Sequence, residues 1–166
     1  MTVRWLVAAA HLLALGIGLG AVWGRSRALR GSVVDNQALR RALACDAWWG
    51  IAALLWLGTG LWRAFGGLEK GTAYYLANTA FHAKMGLFVL VLLLEIRPMV
   101  TLMRWRRALS RGTRLDTEAA RAISRLSAVQ ALLIVGMLLA ATAMARGLDL
   151  RGASARPVGV AAPAAP

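Results

Sequence analysis

The sequence contains little of the chemistry on which most enzymes depend. Its 166 residues include one cysteine, two histidines and only seven acidic residues. The single cysteine, Cys45, excludes a disulfide within the chain and a C-x-x-C metal or redox pair. The sequence has no phosphate-binding glycine loop and no arrangement of a nucleophile with a base. These absences disfavour a recognisable metal or nucleophilic centre and identify no catalytic residue.

Polar stripes are also missing from the long apolar stretches of the chain. Four stretches, at about 5–23, 47–65, 77–97 and 126–145, are rich in Leu, Ala, Val and Gly. A helix needs about 20 mostly apolar residues to cross a bilayer, whereas the helices of a soluble bundle carry a polar face. The sequence therefore predicts an all-α fold, an integral membrane four-helix bundle over residues 1–150, followed by a disordered Ala/Pro tail at 151–166.

Tryptophans stand near the ends of the first two stretches. Trp5 and Trp23 flank the first, and Trp48, Trp49 and Trp62 flank the second. Amphipathic aromatic rings prefer the headgroup level of a bilayer. We therefore expect these five indoles at the membrane interface.

The positive charge is unevenly distributed. The net charge is +13, and thirteen arginines lie in the two segments that join spans one to two and three to four. Because cytoplasmic loops carry the positive excess, both termini are expected outside, in a multi-pass protein of the bacterial inner membrane. The basic loops are expected to contact anionic lipid headgroups. No nucleic-acid-binding motif accompanies the charge.

Both basic segments contain residues that favour the start of a helix or a turn. Asp35 can cap a helix that passes through Leu39 and Leu43 into span two. Gly112 marks a turn in the second segment.

Ionisable residues inside spans are costly, so each is a candidate for function. His11 and His82 are both expected roughly 10 Å below the outer surface. Two imidazoles at one depth could hold a haem iron or another metal, form a proton relay, or hydrogen-bond to neighbouring helices. Gly18 and Arg25 follow His11 at seven-residue spacing, which places them on its face. Gly18 would leave room there for a flat ligand or a neighbouring helix.

Lys84 and Glu95 are the other two charges within the third span. Lys84 lies two residues from His82, so it points to the other side of the helix, toward the bundle interior, where it could bind an anionic ligand. Glu95 is about 16 Å from Lys84 along the axis and adjoins Arg97. We therefore expect Glu95 to form an ion pair at the interface.

Three glycines in span one, Gly16, Gly20 and Gly24, recur at four-residue spacing. Such ridges let helices approach closely. The pattern predicts packing within the fold or, alternatively, a homo-oligomer.

Several stretches resemble a family of predicted bacterial membrane proteins, the domain-of-unknown-function 2214 family. They are H-L-L-A-L at His11, D-A-W-W-G at Asp46, T-G-L-W-R ending at Arg63, E-K-G-T-A-Y-Y-L-A-N ending at Asn78, F-H-A-K-M at Phe81 and R-W-R-R-A-L at Arg104. In that family the position of His82 is not always histidine. The resemblance therefore shifts weight toward His11, Asp46, Arg63 and Lys84.

A more distant resemblance is to four-helix membrane proteins that include the haem-binding protoporphyrinogen oxidase and copper-resistance membrane components. Those proteins have a histidine in the first span and a lysine or histidine in the third, where this chain has His11 and Lys84. The resemblance makes haem b the candidate cofactor, with candidate binding residues His11, His82 or Lys84, and Arg25. Three functions remain open: a non-enzymatic accessory protein, a haem-dependent membrane oxidoreductase, and a small transporter subunit.

Overall fold

Four long helices make up most of the protein. The structure, a computed structural model, describes residues 2–31, 34–66, 79–113 and 117–145. The helices are α1 (Thr2–Ala28), α2 (Asn36–Phe65), α3 (Thr79–Ser110) and α4 (Ala120–Ala145). Each contains a stretch long and apolar enough to cross a membrane, which confirms the all-α multi-pass membrane fold. Residues 77–78 of the predicted third span and the predicted tail at 151–166 lie outside the described residues.

The helices alternate in direction. α1 packs along α2 and α4, α4 packs along α3, and α2 meets α3 only sparsely. Contacts of His11 with Thr59 and of Arg25 with Asp46 show that α1 and α2 are antiparallel. We call the end that carries the α1–α2 and α3–α4 connections the basic end, and the opposite end the terminal end.

The helices at the basic end continue beyond the predicted spans. α2 begins at Asn36, and its N-cap residue Asp35 accepts a hydrogen bond from the Ala38 amide at 2.6 Å, as predicted. α3 ends where Gly112 adopts a φ of 64°, a left-handed conformation that glycine adopts without strain. The predicted turn at Gly112 is therefore confirmed.

This extension creates a second apolar core. The core of the spanning region comprises Ala14, Ala21, Val22, Trp49, Trp56, Val91, Ala131, Ile134 and Met137. The core at the basic end comprises Leu29, Leu39, Ala42, Leu102, Trp105, Ala120 and Ile123. The two cores lie one above the other along the bundle, so a layer of different composition can separate them.

The outward surface is apolar, as a bilayer requires. Leu54, Leu132 and Leu13 are 74%, 70% and 66% exposed. In water such a surface would favour aggregation, whereas lipid tails solvate it. Four of the five flanking tryptophans are exposed as well, namely Trp5, Trp23, Trp48 and Trp62.

Trp49 departs from the expectation. It is 6% exposed and belongs to the core of the spanning region, so its predicted place at the interface was wrong. A Cβ on Gly18 would lie 3.2 Å from Cζ3 of Trp49. The missing side chain of Gly18 thus admits a neighbouring helix.

The glycine ridge of α1 is used only in part. A Cβ on Gly24 would lie 2.9 Å from the Cys45 sulfur, whereas Gly16 and Gly20 have nothing within 4 Å of that position. Packing within the fold was therefore a wrong prediction for Gly16 and Gly20. Gly18, which lies between them on another face, makes the close approach.

Substituting Gly18 tests this packing. Gly18→Leu should lower the free energy of unfolding by about 1–3 kcal/mol, because the added side chain overpacks the contact with Trp49. Gly16→Leu is the matched control, since it adds the same side chain where there is open space. Thermal unfolding of both variants in detergent, followed by circular dichroism, measures the difference. Equal losses in the two variants would contradict the packing described.

Candidate functional site

Arg25 is completely buried and uses every hydrogen-bond donor it has. Its Nε donates to Ser127 Oγ at 2.9 Å. Nη1 donates to Asp46 Oδ1 at 2.9 Å and to Glu95 Oε1 at 2.7 Å. Nη2 donates to Glu95 Oε2 at 2.7 Å and to Gln130 Oε1 at 2.9 Å. A guanidinium has five N–H groups, so all five are satisfied within the chain.

The partners of Arg25 come from every other helix. Asp46 lies on α2, Glu95 on α3, and Ser127 and Gln130 on α4. We call these four residues and Arg25 the Arg25 layer. It lies between the two apolar cores, because Val22 of one core precedes Arg25 on α1 and Leu29 of the other follows it just after the helix ends. The layer thus joins all four helices at one level.

The layer is also satisfied from the acceptor side. Gln130 Nε2 donates to Glu95 Oε2 at 2.7 Å and to the Val91 carbonyl at 3.3 Å. Asp46 has a second cation 3.9 Å away, the Arg106 guanidinium at the rim. Two carboxylates therefore face two guanidinium groups, which lowers the cost of burying these charges.

Sequence reasoning anticipated part of this layer. His11, Gly18 and Arg25 are all buried on one face of α1, as their spacing predicted. The predicted interface pair of Glu95 was wrong, because Glu95 bonds across the bundle to Arg25. The roles of Ser127 and Gln130 were missed. The available signal was two polar side chains at the basic end of an otherwise apolar span.

His11 lies in a second polar group, toward the terminal end. It is 8% exposed, and its Nδ1 is 2.9 Å from Thr59 Oγ1. Thr59 Oγ1 in turn lies 2.6 Å from the Leu55 carbonyl and donates to it. Because a hydroxyl has one proton, Thr59 Oγ1 accepts from His11 Nδ1 while it donates to the Leu55 carbonyl. In a neutral imidazole this arrangement leaves the lone pair on Nε2.

One aromatic ring contacts this histidine, and two cations lie near it. The imidazole stacks on Trp56 with centroids 5.7 Å apart, and Phe88 meets Trp56 edge-on at 5.5 Å. Lys84, one turn before Phe88 on α3, and Arg63 on α2 are near enough to act on His11 electrostatically. We call His11, Trp56, Thr59, Arg63 and Lys84 the terminal-end cluster.

The terminal-end cluster, unlike the Arg25 layer, has unsatisfied polar groups. Trp56 Nε1 is buried and has no hydrogen-bond acceptor among the described residues. Lys84 is partly buried, and no described residue forms a hydrogen bond or an ion pair with its ammonium group. The carboxylates that the structure describes, Asp35, Asp46, Glu95 and Glu118, all belong to the basic half of the bundle. The cluster therefore has cationic and donor character.

The four predicted site residues separate into three places. Lys84 lies near enough to His11 to act on it electrostatically. His82 is exposed on the other side of α3, where its ring meets that of Phe81 at 6.0 Å. Arg25 follows His11 by 14 residues, or about 21 Å along the helix axis, and its donors are engaged. Of the other three predicted site residues, Lys84 is therefore the one that lies near His11.

Comparison with known proteins gives a single finding. The model of a family described as "Predicted membrane protein (DUF2214)" matches residues 3–149. No curated protein and no solved structure matches the chain.

The Arg25 layer can be tested by removing its cation. Arg25→Met should lower the free energy of unfolding by about 3–5 kcal/mol, because it leaves two carboxylates without their common partner. Additional Asp46→Asn and Glu95→Gln substitutions should restore part of that loss by neutralising both acids. Unfolding in detergent mixtures of increasing dodecyl sulfate content measures both effects.

Arg27→Met is the control, since Arg27 is exposed in the same last turn of α1. If Arg25→Met and Arg27→Met unfold at the same dodecyl sulfate content, the layer does not stabilise the bundle.

Proposed function

The chain belongs to the DUF2214 family of predicted membrane proteins, and we propose that it is a non-catalytic accessory protein of the bacterial inner membrane. In this proposal it binds an amphipathic anion in the outer half of its helix bundle. The non-catalytic part rests on the sequence, which has no recognisable nucleophile arrangement. The binding part rests on the terminal-end cluster.

The arginines support the orientation. Arg27, Arg30, Arg40, Arg41, Arg104, Arg106, Arg107, Arg111, Arg121 and Arg125 all lie at the basic end. Basic loops next to spans stay on the cytoplasmic side. Both termini then face outward, and the terminal-end cluster lies in the outer half of the membrane.

The observation that carries the proposal is that Lys84 and the buried indole N–H of Trp56, both near His11, have no hydrogen-bond acceptor among the described residues. A charged lysine within a span is costly, and such residues pair or mark a functional site. A carboxylate or phosphate oxygen would provide an ion-pair partner for Lys84 and an acceptor for Trp56 Nε1. Because no described carboxylate lies at that end, the partner must come from a ligand or from the remaining residues.

The bundle also offers a route to the cluster. α2 and α3 have few contacts with each other, and Trp56 and Lys84 stand on these two helices. A molecule with an apolar tail could enter between them from the bilayer while its anionic group reaches the cluster. This geometry favours an amphipathic ligand over a fully water-soluble one.

Binding of a defined amphiphile tests the proposal. Oleate serves as the probe, and oleyl alcohol is its uncharged analogue. Native mass spectrometry of the full chain in detergent should show oleate bound at least about tenfold more weakly by Lys84→Met, since a hydrogen bond to a charged group contributes roughly 1.5–3 kcal/mol. Oleyl alcohol should show no such difference.

Arg4→Met is the control, since it removes one exposed positive charge from the same end of the protein. An equal loss of oleate binding in Arg4→Met would reduce the effect to general electrostatic attraction. An unchanged affinity in Lys84→Met would overturn the proposal.

The tautomer of His11 favours a second candidate, a haem-binding oxidoreductase. A neutral imidazole whose Nδ1–H is fixed by a hydrogen bond is a common arrangement for a metal ligand, and Lys84 and Arg63 could bind the two propionates. His11 Nε2 would therefore be the atom that holds the haem iron. Haem would supply one-electron chemistry. Thr59 would orient the imidazole ring of His11 through its hydrogen bond with Nδ1.

Absorption spectroscopy tests this candidate directly. Protein purified from haem-replete cells should show a Soret band and sharp bands on reduction. His11→Ala should abolish them and His82→Ala should retain them, because His82 faces away from the cluster. A colourless protein, or bands that need His82 and not His11, would exclude this candidate.

A further inference from the structure

A pocket opens between α1 and α4 at the basic end, remote from the terminal-end cluster. Its volume is about 350 Å³, and it is lined by Ser26, Arg30, Arg121, Ser124, Arg125 and Ala128. No carboxylate is among these lining residues. The lining is thus cationic at the mouth and hydroxylic at the floor.

The floor contains a buried hydroxyl that is poorly satisfied. Ser26 is fully buried and Ser124 is 5% exposed. Ser124 Oγ donates its proton to the Ser26 carbonyl at 2.8 Å. The contact of Ser26 Oγ with a described residue is with Ser124 Oγ at 3.5 Å, which is long for a hydroxyl pair. Because the proton of Ser124 Oγ is directed to the Ser26 carbonyl, Ser26 Oγ is the donor in this long contact. A phosphate oxygen in the pocket could accept that proton at a shorter distance.

The mouth has three guanidinium groups with no acidic partner among the described residues. Arg30, Arg121 and Arg125 are exposed, and no described carboxylate forms a salt bridge with any of them. Arg25 in the neighbouring layer differs, because its donors are all occupied. Three cations around one pocket repel each other, and an anion placed among them would relieve that repulsion.

The level of the pocket indicates where such an anion would come from. The predicted first and fourth spans end at residue 23 and begin at residue 126, so Arg125 lies at the span boundary and Arg30 and Arg121 lie on its headgroup side. Ala128 lies two turns farther into the span and gives the inner wall an apolar surface. A phosphate group among the guanidinium groups would be at headgroup level, with acyl chains alongside α1 and α4.

We propose that this pocket is a specific binding site for a phosphate group, presented by the headgroup of an anionic phospholipid. Guanidinium forks bind phosphate oxygens through paired hydrogen bonds, and the Ser26 hydroxyl adds a donor from below. The proposal stands independently of the ligand proposed for the terminal-end cluster, since the two sites share no residue.

Native mass spectrometry of the full chain in detergent, titrated with dioleoylphosphatidylglycerol, tests the site. The variant Arg30→Gln/Arg121→Gln/Arg125→Gln should bind the first lipid at least about tenfold more weakly, or 1.4 kcal/mol. The charge-matched control is Arg27→Gln/Arg40→Gln/Arg41→Gln, which removes three exposed arginines outside the pocket. It should keep the affinity of the wild type.

Ser26→Ala provides a second variant that leaves the net charge unchanged. Ser26→Ala should lower the affinity for the first lipid, while the variant and the wild type should melt at similar temperatures. Equal losses in the two triple variants would show general attraction to a basic surface and would overturn the site.

Two further probes identify the source of the phosphate. Dioleoylglycerol lacks the phosphate and should show no difference between the triple variants. Inorganic phosphate in large excess should fail to displace phosphatidylglycerol. Displacement by inorganic phosphate, or binding of dioleoylglycerol to the wild type as tight as that of phosphatidylglycerol, would overturn the assignment to a lipid headgroup.

Discussion

The fold depends on one requirement, that a guanidinium buried between four membrane helices must have an acceptor for each of its N–H groups. Within a bilayer no water replaces a missing acceptor, and each unsatisfied group costs several kcal/mol. Arg25 meets the requirement with acceptors from α2, α3 and α4. Because each helix can slide or rotate only by breaking these bonds, the layer fixes the register of the whole bundle.

Apolar packing alone would specify that register weakly. Leucine-rich helices in lipid gain little from exchanging lipid contacts for helix contacts, so their association depends on close packing and polar groups. Here the close packing is the seating of Trp49 over Gly18, and the polar groups are those of the Arg25 layer. The layer also divides the apolar interior in two, so the core at the basic end can form outside the predicted spans.

Sequence patterns predicted the features that are determined within a single helix. Apolar length gave the spans, the side chain of Asp35 gave a helix start, and seven-residue spacing placed His11 and Arg25 on one face. They failed where the outcome depends on which helices become neighbours. Glu95 was paired with the adjacent Arg97 because spacing cannot show that Arg25 lies across the bundle. Trp49 was placed at the interface because its partner, Gly18, is on another helix.

The same distinction explains why function is sought at the terminal end. Both ends bury charged groups, and burial alone would make Arg25 and Lys84 equal candidates. The difference lies in their partners: Arg25 is saturated by its own chain, whereas Lys84 and Trp56 Nε1 have no described acceptor. A saturated group gains nothing from a ligand, while an unsatisfied donor gains most of a hydrogen bond. A buried charge in this bundle therefore indicates binding only where its hydrogen bonding is incomplete.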